Sequence, residues 1–70
     1  MVDYYSLIAR AVSVLPNKTE EARRAVYDRA RTAIQEKLRT FDPPISEPEI
    51  ERVRVQLEAA IMRVEIKFIL

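Results

Sequence analysis

The sequence predicts an all-α domain of three helices, about 3–15, 18–40 and 46–68, spanning residues 1–70 as a single domain. The last two helices are expected to form a long antiparallel hairpin beside a short N-terminal helix, and the whole to pair into a dimeric helical bundle. Three observations carry this. Apolar residues recur at spacings of three and four through each segment. Pro16-Asn17 and Asp42-Pro43-Pro44 punctuate the chain, with capping residues before each helical stretch. Finally, 70 residues with 49% hydrophobic content are too few to build a large core alone, and without Cys no disulfide can reinforce them.

The first helix is predicted to start at Asp3, whose carboxylate suits both the cap position and the positive end of the helix dipole. Val2 and Leu7 occupy the positions of a hydrophobic staple. Asp3, Ser6, Arg10 and Ser13 form one narrow polar stripe, and the remaining surface is apolar, so the helix is expected to be covered on most sides. Pro16 and Asn17 end it.

The second helix is capped by Asn17 or Thr19, with Asn17 and Glu20 spaced as a variant capping box. Its inward face reads Ala22, Val26, Ala30, Ala33, Ile34, Lys37/Leu38 and Phe41, with Tyr27 at the margin. The residue before a proline disfavours the α region, so Asp42-Pro43-Pro44 stops it. For the third helix, Ser46 and Glu49 have capping-box spacing, Ile45 and Ile50 staple spacing, and Pro48 falls in the first turn.

The third helix carries two apolar stripes. One is Ile50, Val53, Leu57, Ala60/Ile61, Val64 and Phe68; the other is Val55, Ala59, Met62, Ile66 and Ile69. At 100° per residue they lie about 160° apart. A helical hairpin buries one stripe, so the other must meet the first helix, another subunit or another protein.

Composition narrows the chemistry. There is no His, Cys or Gly. An ordinary general base near neutral pH, a thiolate nucleophile, a zinc site, a P-loop and a dinucleotide fingerprint are therefore missing. No catalytic residue and no cofactor is expected. The net charge of +1 argues against wholesale electrostatic binding to nucleic acid or membrane. The longest apolar runs are about five residues, far below the roughly 20 of a membrane span. The N-terminus lacks the pattern of a signal peptide, and a cytoplasmic location is expected by default. The apolar ending Glu65 to Leu70 is expected to dock on the core or on a partner, with weak membrane contact as the lesser alternative.

Two charged patterns remain. Arg23, Arg24, Arg29, Arg31, Lys37 and Arg39 enrich the second helix, but Glu20, Glu21, Asp28 and Glu36 interleave with them. We read this as a solvated, salt-bridged face. The second reading is a nucleic-acid contact through Arg24, Arg31 and Arg39. Glu51, Glu58 and Glu65 repeat every seven residues on the third helix. They are expected to form a solvated or intersubunit flank that sets partner orientation. Tyr4, Tyr5 and Tyr27 are expected at the core edge.

The blocks Asp3 to Val12, Glu21 to Arg31, Asp42 to Glu47 and Leu57 to Glu65 resemble a small, uncharacterised bacterial family, a domain of unknown function. The resemblance implies a three-helix domain, either stand-alone or N-terminal in longer and sometimes membrane-anchored proteins. It brings no activity and no functional residues. The resulting expectation is a non-enzymatic interaction or homo-oligomerisation module. Its interface residues are Tyr4, Leu7, Ala11 and Val14 of the first helix and Val55, Ala59, Met62, Ile66 and Ile69 of the third. The partner is a second copy, with another helical protein docked between helices 1 and 3 as the further option.

Overall fold

The structure, a computed structural model, describes residues 3–69. It contains α1 (Tyr4–Ser13), α2 (Glu20–Arg39) and α3 (Glu47–Ile69), with no strand among the described residues. The molecule measures 40 × 20 × 18 Å. The three expected helices are present and their ends differ for identifiable reasons.

Asp3 caps α1. Its carboxylate accepts from the Ser6 N–H at 3.2 Å and from the Ser6 hydroxyl at 2.5 Å, and these bonds hold its carboxyl below the usual range. Val2, its expected staple residue, lies outside the described residues. The helix ends at Ser13, two residues earlier than predicted, because Leu15 precedes Pro16 and is pushed out of the α region. The Leu15 N–H closes the last turn on the Val12 carbonyl at 3.1 Å.

Thr19, rather than Asn17, caps α2. Its backbone is extended and its hydroxyl accepts from the Ala22 N–H at 3.1 Å. The box of Asn17 with Glu20 is therefore not formed. At the other end the Thr40 N–H and hydroxyl both donate to the Lys37 carbonyl, at 3.2 and 2.8 Å. Phe41 is thereby left beyond the helix and 47% exposed, not on its inward face. Before α3, the Ser46 carbonyl accepts from the Ile50 N–H at 3.0 Å. The Glu49 carboxylate pairs with Arg52 at 3.1 Å instead of closing a box on Ser46. Both reversals are made with negative φ throughout the described residues, as a chain without glycine requires.

Arg23 meets Glu65 and Arg31 meets Glu58. Numbers rising along α2 thus face numbers falling along α3, and the hairpin is antiparallel. Its two arms approach each other least of the three helix pairs, whereas α1 lies closest to α3. Short α1 acts as a wedge. Its Ile8 and Val12 enter a core made by Tyr27 of α2 and Leu57, Ala60, Ile61 and Val64 of α3. The inner stripe of α3 is buried as predicted from Leu57 to Val64, while Phe68 at its end is 40% exposed.

Two helix faces depart from the sequence reading. In α2 the buried residues are Arg23 and Tyr27. Tyr27 is central rather than marginal, and Ala33 and Lys37 are exposed. The face is turned toward Tyr27 because polar partners on α3 make burial of Arg23 and Tyr27 favourable. In α1 only Ile8 and Val12 are buried, and Leu7 and Val14 are exposed, so the helix is not covered on most sides within one chain. Among the described residues no helix is long and apolar enough to cross a membrane.

Val12 is the most enclosed side chain, at 2% exposure. Val12→Ala should lower stability by on the order of 2 kcal/mol, read as a lower denaturant midpoint at unchanged slope. A loss no larger than that of an exposed control such as Val14→Ala would contradict the wedge.

Candidate interaction surfaces

A polar cluster sets the rotation of α3. The Arg23 guanidinium donates to both oxygens of Glu65, from Nη2 at 2.8 Å and Nε at 3.1 Å. Its Nη1 donates to the Lys18 carbonyl at 2.7 Å, and the Phe68 ring lies 4.4 Å from its centre. The Tyr27 hydroxyl donates to Glu65 at 2.6 Å. Arg23 is 9% exposed, and no buried side-chain polar atom among the described residues lacks a partner. Arg23 and Tyr27 together hold the Glu65 carboxyl below the usual carboxylate range. Burial, reinforced by the Glu65 carboxylate, pushes the Tyr27 hydroxyl up to about 12.

Two helical turns away, Arg31 grips Glu58 in the same forked manner at 2.7 and 2.8 Å and also donates to Asp28 at 2.9 Å. This pair is half exposed. The Glu51, Glu58 and Glu65 series was expected to be solvated or intersubunit. Glu58 and Glu65 bind α2 of their own chain, Glu58 staying half exposed, while Glu51 is solvated as expected and pairs with Arg54 within α3 at 3.5 Å. The seven-residue spacing of Glu58 and Glu65 puts both on the flank of α3 that borders α2, within reach of Arg31 and Arg23.

With both carboxylates turned toward α2, the outer stripe of α3 faces away from the core. Val55, Met62, Ile66 and Ile69 are 58%, 65%, 43% and 72% exposed, and Ala59 is exposed with them. Helix α1 does not cover this stripe, because α1 sits on the inner one. The α1 residues belong to a second surface. Tyr4, Leu7, Ala11 and Val14 line an open apolar groove of about 480 Å³ against Val26, Ala30 and Ala33 of α2. No outer-stripe residue contributes to it. The groove expected between helices 1 and 3 thus lies between α1 and α2. Ile8 and Val12 close the α1–α3 side, while small alanines leave the α2 side open.

The arginines singled out on α2 are not gathered into one free basic face. Arg31 is shared by two carboxylates and Arg24 pairs with Glu20 at 3.3 Å. Arg39 is exposed at the end of α2. Tyr4 and Tyr5 are half-buried, and Arg63 and Lys67 lie over the Tyr5 ring at 4.4 and 4.9 Å. Ile66 and Ile69 at the apolar ending are exposed rather than docked on the core, and Leu70 lies outside the described residues. Among the described residues no group of acidic side chains is arranged to hold a metal ion.

Comparison with protein-family models, with curated proteins and with solved structures found no match to this chain.

The two ion pairs differ in what their loss should do. Arg23→Ala takes two of the three donors from Glu65 at the edge of the core and should cost more than the loss of the half-exposed pair. Arg31→Ala breaks a half-exposed pair and should cost about 1 kcal/mol or less. Chemical denaturation of the two variants checks the ordering, and equal losses would contradict it.

Stability should also respond to pH at both extremes. Tyr27 has a folded pKa raised from 10.0 to about 12, so its contribution is complete below pH 10 and is lost between pH 10 and 12. Glu58 and Glu65 have lowered folded pKa values, so theirs is complete above the ordinary carboxylate range and is lost on acidification through and below it. Thermal melts across pH should show both limbs; Tyr27→Phe should remove the tyrosine's share of the alkaline limb and, by taking one donor from Glu65, also weaken the acid limb.

Proposed function

We infer that this chain is a non-enzymatic self-association module whose contact surfaces are the apolar stripe on the outside of α3 and the exposed side of α1. The observation that carries this is the outer stripe itself. Its four large members Val55, Met62, Ile66 and Ile69 line one side of a single helix and stay between 43% and 72% exposed in the folded chain. Scattered apolar residues on a surface need no explanation, but a contiguous row at helical spacing does. Burying such a row against an equivalent one removes apolar area from water, which a 70-residue fold cannot achieve within itself. Homo-oligomerisation is preferred over nucleic-acid binding because Arg31 and Arg24, two of the three arginines suited to phosphate, are already engaged by carboxylates.

The proposal that the chain is not an enzyme rests on its lack of His and Cys. The Cys-free composition fits a reducing compartment, and we place the protein in the cytoplasm. Kinship with the small bacterial three-helix family belongs to the same proposal, carried by the Tyr4-Tyr5 and Glu21-Ala22-Arg23-Arg24-Ala25 blocks.

Size-exclusion chromatography with light scattering at micromolar concentration tests this. The expected mass is twice the 8.2 kDa of one chain or a higher multiple. Met62→Glu and Ile66→Glu should each return it to a folded monomer. A wild-type chain that stays monomeric and stable at these concentrations would overturn the proposal.

A further inference from the structure

We propose that the occupant of the outer stripe of α3 is the same stripe of a second copy, with the two α3 helices running parallel about a twofold axis along their length. This rests on self-association as proposed above and adds its direction and register.

The spacing supports a paired-helix seam. Val55, Ala59, Met62, Ile66 and Ile69 are separated by four, three, four and three residues. That is the alternation of the two core positions of a heptad, with Ala59 and Ile66 at one and Val55, Met62 and Ile69 at the other. One repeat before Ala59 the same position holds Arg52, which pairs with Glu49, so the apolar seam begins at Val55. Residues on the opposite side of α3, such as Leu57 and Val64, are buried in the chain's own core. One helix therefore serves two cores.

The flanks of the seam select the direction. The side next to α2 carries Glu51, Glu58 and Glu65. The other carries Gln56 and Arg63, with Arg52 and Lys67 near it. In a parallel pair, opposite flanks of the two helices meet, and a residue on the first flank lies beside the one five positions later on the second. Glu58 of each copy then lies beside Arg63 of the other, and Glu51 beside Gln56. In an antiparallel pair each flank meets itself, so the Glu58 and Glu65 side faces its own copy and Arg63 faces basic residues. Glu58 is spoken for by Arg31 but its side chain remains 47% exposed, which leaves lone pairs open to a second guanidinium.

The absence of cysteine makes a direct test simple. Val55→Cys and Ile69→Cys put single thiols at exposed positions about 21 Å apart along α3. Folding is checked by circular dichroism and mass by light scattering before mild oxidation. In the parallel pair each position meets its own copy, so each variant alone should become mostly disulfide-linked dimer, and mixing the two should give few crossed links. If neither variant links to itself but the mixture gives Val55-to-Ile69 links, the pair is antiparallel and the proposal is overturned while self-association stands. If the variants are dimeric by mass yet link in neither way, copies associate through another surface and the proposal again fails. Monomers throughout, for wild type and variants alike, would overturn self-association itself. Arg63→Glu supplies a second reading: it sets carboxylates beside Glu58 in the parallel pair and should weaken dimerisation at least several-fold, more so at low salt, whereas Arg63→Gln, which gives up the same contact with Tyr5, should weaken it less. Unchanged dimerisation would contradict the register.

Discussion

Glu65 is the residue on which the arrangement turns. Its carboxylate lies at the edge of the core with three donors on it, two from Arg23 and one from Tyr27. A helix with apolar residues on two sides has two nearly equivalent ways to face a hairpin partner. Swapping the stripes would carry Glu65 away from α2 and leave Arg23 with its charge facing the core. Removing one partner of such a charge pair is destabilising, because it leaves the other charge at the core edge without its partner. The polar cluster thus decides which stripe of α3 becomes core, and every exposed apolar residue on the outer side follows from that choice.

The wedge of α1 complements this. The two arms of the hairpin stand apart, spanned at one edge by arginine, glutamate and tyrosine side chains and filled elsewhere by Ile8 and Val12. A short helix can do this because its interior-facing row needs only two turns. The remaining apolar residues of α1 have no room in the same space, and Leu7 and Val14 are left on the rim of the α1–α2 groove. Burial of Ile8 and Val12 inside and exposure of Leu7 and Val14 outside are consequences of one geometry.

Much of this was legible in the residues. Prolines and capping side chains marked three helices to within a few positions, because local chemistry governs helix ends. The doubled periodicity of residues 50–69 showed that one helix had more apolar surface than a hairpin can bury. Arg23 was not legible as a core residue. A charged side chain among other charges reads as solvated until a carboxylate 42 residues away is known to reach it. The seven-residue spacing of Glu51, Glu58 and Glu65 was visible, but not that α2 of the same chain would claim Glu58 and Glu65. The α2 face was legible in part, since Val26 and Ile34 do pack against the core, and its centre was missed for the same reason. Alanines at helical spacing looked like the buried side, whereas hydrogen-bonded Tyr27 and Arg23 occupy it and Ala33 stays in solvent. Local spacing fixes period; long-range polar partners fix rotation.

The groove between α1 and α2 is concave and the outer face of α3 is convex. Were copies to join by seating the ridge of one in the groove of the next, each would still offer an unused ridge or groove, and the row would lengthen without stopping unless its rotation happened to close a ring. Joining ridge to ridge instead consumes both ridges, and that contact by itself stops at two. In the parallel pairing proposed above, the glutamate and arginine flanks of α3 would therefore bear on more than affinity, for by favouring ridge against ridge they would separate a finite particle from an open fibre.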